Sequence, residues 1–142
     1  MPDRILLVDD EEEFTSILAQ RLQSRGVHVD VAATGLEGVE KVKATSYDAI
    51  ILDLMMPGID GIETCKRMLE ANPDLQVILL SGHATLQAGV EAMKTGAIDF
   101  LEKPTKMQDL LARIEDAKAN KMLLVEKKNE ERVRQILREK GW

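Results

Sequence analysis

Ala49-Ile50-Ile51-Leu52-Asp53 is a run of four apolar residues that ends in a carboxylate. The two isoleucines favour a β-strand, and an unbroken apolar run is typical of a strand that is covered on both faces. Such strands occur in parallel sheets with helices on both sides. The run therefore predicts a central strand and places an acidic side chain where the chain leaves the core.

Four more short apolar runs flank this strand and alternate with stretches of helical periodicity. The predicted strands are Ile5–Val8, Val27–Ala32, 49–53, Val77–Leu80 and Ile98–Leu101. Capping patterns, in which Ser, Thr or Asp precedes Glu or Gln by three residues, begin at Thr34, Asp60 and Thr105. Because a β-strand and a helix alternate five times, the chain is predicted to form a doubly wound α/β domain with a parallel sheet.

The last predicted helix is unusually long. From Thr105 to Lys140 there is no Pro or Gly, and Gly141 would end the helix. An apolar stripe is predicted at Ile114, Met122, Val125, Val133 and Ile136. Two interpretations stay open for the end of this helix: it pairs with a second copy of the chain, or it links the domain to an output domain.

Composition excludes several classes of protein. The 142 residues suffice for one domain, and the net charge of −6 argues against direct nucleic-acid binding by this chain. Residues 118–142 hold eight Lys and Arg against four Asp and Glu, so a basic tail follows an acidic body. One cysteine, Cys65, cannot form an internal disulfide, which favours a reducing compartment such as the cytoplasm. Neither a signal peptide nor a membrane-spanning segment is predicted.

Polar residues follow four of the predicted strands. They are Asp9 and Asp10 after the first, Asp53 after the third, Ser81 after the fourth and Lys103 after the fifth. An open parallel sheet binds its ligands beyond the carboxyl ends of its strands, so these side chains are expected to lie together. Carboxylates are ligands for Mg²⁺, and a carboxylate can also accept a phosphoryl group. Singly, each residue could be a cap, a turn residue or a solvated lysine; their combination favours phosphoryl chemistry. For Glu11–Glu13 we favour a simpler role, in which acids stabilise the first turn of a helix.

The chain resembles the receiver domain of bacterial two-component response regulators. The resemblance covers about residues 3–118 and rests on the ordered segments 5–11, 53–61, 81–83 and 100–104, which read ILLVDDE, DLMMPGIDG, SGH and FLEKP. It implies a flavodoxin-like (βα)5 fold with strand order 2-1-3-4-5, followed by an extended C-terminal helix. A receiver domain over 1–118 and a helical extension over 119–142, as a linker or dimerisation helix, are the domains that we predict.

Site roles also follow from the resemblance. Asp53 would be the phosphoacceptor, and Asp10 and Asp53 would bind Mg²⁺, or Mn²⁺ in its place, with Asp9 acting mostly through water. The backbone carbonyl of Met55 would complete the protein ligands. Lys103 would pair with the phosphoryl group, and the peptide bond between Lys103 and Pro104 is expected to be cis.

Further positions concern switching and its rate. Ser81 would move toward the phosphoryl group, and the aromatic switch position falls on Phe100. Receivers often have tyrosine there, so switching in this chain would work through packing rather than through a ring hydroxyl. Met55 and His83 occupy positions that tune dephosphorylation in this family. His83 could act as a general base, although an exposed loop histidine is the simpler interpretation; His28 is interpreted as structural.

The function implied is a signalling switch rather than an enzyme that turns over an external metabolite. A sensor histidine kinase or phosphotransfer protein would donate the phosphoryl group, and slow self-catalysed hydrolysis would remove it. The face formed by the fourth helix, fifth strand and fifth helix would then control a partner, a dimer or an output domain. A phosphatase of the haloacid dehalogenase type is the main alternative, but its Asp-x-Asp pattern is missing at the strand ends, where Asp9 and Asp10 are adjacent and Leu54-Met55 follow Asp53. A pseudo-receiver used only for binding is disfavoured by the intact set of acids.

Overall fold

Five parallel strands form one sheet in the order β2-β1-β3-β4-β5, in a computed structural model that describes residues 3–82 and 85–141. The strands are β1 Arg4–Val8, β2 His28–Ala32, β3 Ala49–Asp53, β4 Val77–Ser81 and β5 Asp99–Glu102. The helices are α1 Glu12–Gln23, α2 Gly35–Ala44, α3 Gly61–Ala71, α4 Leu86–Lys94 and α5 Met107–Glu139. This is the flavodoxin-like (βα)5 fold with strand order 2-1-3-4-5 and a long C-terminal helix, as predicted.

Alternate residues of the strands enter two separate cores, one on each face of the sheet. Leu6 and Val8 lie in the core covered by α2, α3 and α4, whereas Ile5 and Leu7 lie in the core covered by α1 and α5. Every residue of β3 and β4 is buried, because each strand has two neighbours and both faces are covered. The unbroken apolar runs in the sequence are therefore explained by helices that cover both faces of these strands.

Two positions require glycine for steric reasons. A Cβ at Gly61 would come within 2.4 Å of the carbonyl oxygen of Asp53, so only glycine lets α3 begin this close to the end of β3. Gly26 follows the end of α1 with φ at +83°, a conformation that residues with a side chain rarely adopt. The predicted caps at Thr34 and Asp60 are confirmed, since each side chain accepts a hydrogen bond from the backbone N–H three residues later.

Two details of the long helix differ from prediction. The cap at Thr105 was wrong: α5 begins at Met107 after Lys106, and no side chain caps it. The predicted apolar stripe is also divided, because Ile114 is buried in the core while Met122, Val125, Val133 and Ile136 are exposed. Periodicity alone does not distinguish the buried Ile114 from the exposed residues, because the same helix first covers the sheet and then runs past the edge of the domain.

Polar contacts hold the first part of the extension against the amino ends of the strands. Lys121 Nζ donates to Tyr47 O and to Ser46 Oγ, both at 3.0 Å, and Asn120 Nδ2 donates to Gln76 Oε1 at 3.1 Å. Lys128, two helical turns after Lys121, forms an ion pair with Asp74. Within the part of the chain that the structure describes, no helix, α5 included, has the length and hydropathy needed to cross a membrane.

Candidate functional site

The carboxyl ends of β1, β3, β4 and β5 bring the predicted site residues together at one rim of the sheet. Asp53 is the last residue of β3 and is only 4% exposed. Asp9 follows β1, and its backbone N–H donates to Ala32 O at 3.1 Å. Lys103 follows β5 and is held next to β4, because its backbone N–H donates to Ser81 O at 2.8 Å. Main-chain hydrogen bonds of the sheet therefore fix the backbone positions from which these side chains extend.

Three carboxylates converge at this rim. Asp9, Asp10 and Asp53 each offer an oxygen, and these oxygens lie within 4.8 Å of one another. Asp9 and Asp53 are buried, whereas Asp10 is exposed to solvent. Because oxygen donors of this kind suit a hard divalent cation, and because like charges this close repel each other, the residues fit a Mg²⁺ or Mn²⁺ ion.

Lys103 supplies the positive charge next to these carboxylates. Its Nζ lies 2.7 Å from Asp9 Oδ2, 3.2 Å from Asp53 Oδ1 and 3.3 Å from Glu11 Oε1. Its side chain is 11% exposed, so this ammonium group is almost shielded from solvent. The peptide bond from Lys103 to Pro104 is cis, as expected.

The site shifts two pKa values in ways that its geometry explains. Burial, and then the charge of Asp9, raise the pKa of Asp53 to about 6, although Lys103 opposes the shift. Burial by itself would lower the pKa of Lys103, but the hydrogen bond to Asp9 and the charges of Asp9 and Asp53 raise it above its ordinary value. Above pH 6 the site therefore holds an ionised Asp53 next to a protonated Lys103, which is the pairing that suits a carboxylate nucleophile.

The remaining predicted residues lie around this centre. Ser81 ends β4 and is fully buried, and the side chain of Met55 is exposed just beyond Asp53. Phe100 lies on β5 at the side of a groove of about 810 Å³ that α4 forms with β5. Gly89 of α4 lies beside this ring: a Cβ there would be in ordinary van der Waals contact with Phe100 Cδ1, at 3.4 Å. His83, predicted to tune the reaction, lies outside the described residues.

Two residues at the site were not predicted. Glu11 was interpreted only as a helix-terminal acid, but it also contacts Lys103. Phe14 lies in the first turn of α1, and the Lys103 ammonium lies 4.4 Å from the centre of its ring. Neither contact has a signal in the sequence, because residues 92 and 89 positions apart meet only through the sheet order. His28 of β2 is half-exposed and lies 3.5 Å from Asp30, away from this rim.

Known proteins resemble the chain over most of its length. A family model described as the response regulator receiver domain matches residues 5–115. The response regulator MprA of Mycobacterium sp. (strain KMS) is 35% identical over 114 residues, which are 80% of this chain and 50% of MprA. The chain thus spans about half the length of the curated relatives that it matches.

Solved structures agree with the same family. A response regulator receiver domain protein from Clostridium thermocellum has a TM-score of 0.81 at 33% identity, over 86% of this chain and 98% of that one. A response regulator from Burkholderia pseudomallei, determined with a phosphorylated aspartic acid, a calcium ion and citrate, has a TM-score of 0.75 at 26% identity. That similarity covers 98% of this chain and 86% of the other.

Proposed function

The chain belongs to the response regulator receiver family, and from this premise we propose that Asp53 accepts a phosphoryl group in a reaction that depends on a divalent cation. The observation that carries the proposal is the convergence of the Asp9, Asp10 and Asp53 carboxylates within 4.8 Å, next to the Lys103 ammonium. The phosphorylated aspartic acid of the Burkholderia relative supports the same chemistry.

Asp53 acts as the nucleophile in this proposal. One of its carboxylate oxygens attacks phosphorus, a P–O bond to Asp53 forms, and the bond between phosphorus and the donor's histidine nitrogen breaks. The donor is a sensor histidine kinase or a phosphotransfer protein, and its histidine takes up a proton afterwards. Because Asp53 has a pKa of about 6, it is ionised at neutral pH and ready to attack.

The surrounding residues neutralise and receive the transferred charge. Asp10 and Asp53 would hold the cation directly and Asp9 mostly through water, and the Met55 carbonyl would complete the protein ligands. Mg²⁺, or Mn²⁺ in its place, would neutralise charge on the phosphoryl oxygens. Lys103 pairs with one phosphoryl oxygen, and Ser81 donates its hydroxyl hydrogen to another. Met55 and His83 tune the attack of water that ends the signal.

Phosphorylation is proposed to act on the face of α4, β5 and α5. Ser81 follows the phosphoryl group, and the ring of Phe100 repacks against α4, where Leu86 is 87% exposed and Val90 and Met93 are also exposed. Arg113 of α5 pairs with Asp99 of β5 at 2.9 Å, so a shift of β5 would reach α5. This two-state surface would control a partner, a dimer or an output domain.

We assign residues 1–118 to the receiver domain and 119–142 to a helical extension that pairs with a second copy or links to an output domain. Slow self-catalysed loss of the phosphoryl group resets the switch, without turnover of an external metabolite. The free and buried Cys65 agrees with the cytoplasm as the compartment in which this exchange takes place.

Labelling with acetyl phosphate and Mg²⁺, followed by intact mass and peptide mapping, tests the phosphoacceptor. We expect one phosphoryl group on Asp53 of the wild-type chain and none on Asp53→Asn, which has no nucleophilic carboxylate at this position. Asp60→Asn is the matched control, because asparagine keeps the helix cap and removes one charge from an exposed position. Undiminished labelling of Asp53→Asn would refute the assignment.

A further inference from the structure

The ring of Phe14 faces the ammonium of Lys103. Lys103 Nζ lies 4.4 Å from the ring centre, well inside the distance at which a cation is attracted to an aromatic face. Phe14 lies on the first turns of α1 and packs against the core between the sheet, α1 and α5. The ring therefore has neighbours in the core in addition to Lys103.

Among the described residues, the ammonium pairs with three carboxylates, and two of these have other roles. Asp9 and Asp53 belong to the trio that fits a divalent cation, and Asp53 also becomes the acyl phosphate in the proposed function. Glu11 is exposed and belongs to the start of α1. The charge that these carboxylates offer to Lys103 therefore changes during the reaction, and an ammonium held by carboxylates alone would move with it.

The attraction between the Phe14 ring and the Lys103 ammonium does not change during the reaction. A benzene ring carries no titratable group, does not bind a divalent cation in competition with the acids and is not phosphorylated. The attraction is strengthened because the Lys103 side chain is largely shielded from water. The ring can thus keep the ammonium at the side of Asp53 while the carboxylates exchange partners.

We propose that Phe14 is a positioning residue for phosphoryl transfer, whose ring face holds the Lys103 ammonium where the phosphoryl oxygens arrive. This inference rests on the proposed function, since it concerns the step in which Asp53 attacks phosphorus. It differs from a purely packing role for Phe14, in which any side chain of similar volume would serve equally well.

A series of fluorinated phenylalanines at position 14 separates the two roles. Successive fluorine atoms at the 4, 3,5 and 3,4,5 positions withdraw charge from the ring face with little change in volume, so packing is nearly constant while the attraction for a cation falls. We expect the rate of Asp53 labelling by acetyl phosphate to fall stepwise with fluorination, by roughly three- to tenfold at trifluorophenylalanine. Phe14→Leu, which keeps apolar bulk without a ring, should reduce the rate by a similar factor.

Controls measure stability, metal binding and the lysine itself. Val27→Ala removes packing from the same core without touching Lys103, so it should lower the unfolding midpoint and leave the labelling rate unchanged. The Mg²⁺ affinity should stay constant across the series. In NMR spectra, the Lys103 ε-methylene protons should be shifted upfield by the ring current in the wild-type chain, and Phe14→Leu should abolish that shift.

The outcomes distinguish this inference from the proposed function. If wild-type Asp53 is not labelled, the proposed function fails, and the inference fails with it. If wild-type Asp53 is labelled but the rate is the same for all fluorinated rings, Phe14 only fills space and the inference alone is overturned. A stepwise fall in rate, with constant Mg²⁺ affinity, supports the positioning role.

Discussion

At the scale of single residues, the negative charge of the Asp53 carboxylate is destabilised by its surroundings in the folded chain. Its carboxyl group is almost fully buried and lies next to Asp9, and these two effects raise its pKa from 3.8 to about 6 in spite of Lys103. The acidic rim thus costs the folded protein stability when no cation is bound. Binding of a cation would lower this cost, because its charge offsets the repulsion between the carboxylates.

The first prediction concerns the pH dependence of this cost. Below pH 3.8 Asp53 is protonated in both the folded and the unfolded chain, so it imposes no penalty; the penalty grows between pH 3.8 and 6 and is complete above 6. The shift corresponds to about 3 kcal/mol at most. In EDTA at pH 8, Asp53→Asn should therefore raise the free energy of unfolding by about 2–3 kcal/mol.

Urea denaturation across pH 4–8 measures this gain. It should shrink as the pH falls below 6 and be nearly absent at pH 4, since asparagine resembles the protonated carboxyl group. Asp60→Asn should show no gain of this kind, because its carboxylate is exposed. A gain for Asp53→Asn that is equal at pH 4 and pH 8 would contradict the assigned cause.

The second prediction concerns Asp10, the exposed member of the trio. Asp10→Ala removes a proposed direct ligand, so we expect the Mg²⁺ affinity, measured by calorimetry, to fall roughly tenfold or more; loss of even an outer-shell partner typically costs 10–100-fold. Glu13 is an exposed acid in the first turn of α1, and Glu13→Ala should bind Mg²⁺ as the wild-type chain does. The ligand role is refuted if the two variants give the same titration.

At the scale of secondary-structure elements, α5 has two parts with different surroundings. Leu110, Ile114 and Ala117 pack against the sheet, whereas the later apolar residues are exposed. Met122 lies eleven residues before Val133, and Val125 lies eleven before Ile136; eleven residues make about three helical turns. These side chains therefore lie on one side of the helix and form an exposed apolar stripe, which would suit pairing with a second copy.

The third prediction uses this stripe. Val133 is 54% exposed, and Val133→Asp should shift the chain toward a lower mass in sedimentation equilibrium, because a charge would have to be buried between two helices. Gln135→Asp adds the same charge two residues away, where it faces another direction, and should leave the mass unchanged. Equal masses for the wild-type chain and both variants would show that the stripe is not the dimer element, and would favour the linker interpretation.

At the scale of the whole molecule, the extension is attached to the receiver domain by polar contacts instead of by a core. Lys121 and Asn120 bind groups next to the amino ends of the strands, whereas Asp53 lies at the carboxyl ends. Hydrogen bonds of this type contribute about 1 kcal/mol each. The extension is therefore expected to be separable from the domain.

The fourth prediction is that a chain truncated after Lys118 still folds cooperatively. Both hydrophobic cores lie within residues 5–117, so the truncation removes only the contacts of the extension. We expect the free energy of unfolding to fall by about 1–3 kcal/mol, and labelling of Asp53 to persist. Loss of a cooperative urea transition would show instead that residues 119–142 belong to the domain.

Local patterns were sufficient to predict the strands, the helices and the parallel sheet, whereas the strand order 2-1-3-4-5 followed from the family resemblance. The apolar runs 5–8, 49–52 and 77–80, the caps at Thr34 and Asp60 and the five-fold alternation are short-range features that follow from side-chain chemistry and chain geometry. The rim could be predicted for the same reason, because every parallel strand presents its carboxyl end at one edge of the sheet. Asp9, Asp10, Asp53 and Lys103 were found in this way.

By itself, then, the sequence determined the elements, their parallel arrangement and the acids and lysine of the rim. Only the tertiary structure decided that Glu11 and Phe14 surround Lys103, that Ile114 is buried while Val133 is exposed, and that Thr105 does not cap α5. For the contacts of Lys103, the physical reason is that they join residues whose separation along the chain carries no periodicity. Their distances depend on how the helices lie against the sheet, which side-chain packing across the whole domain decides.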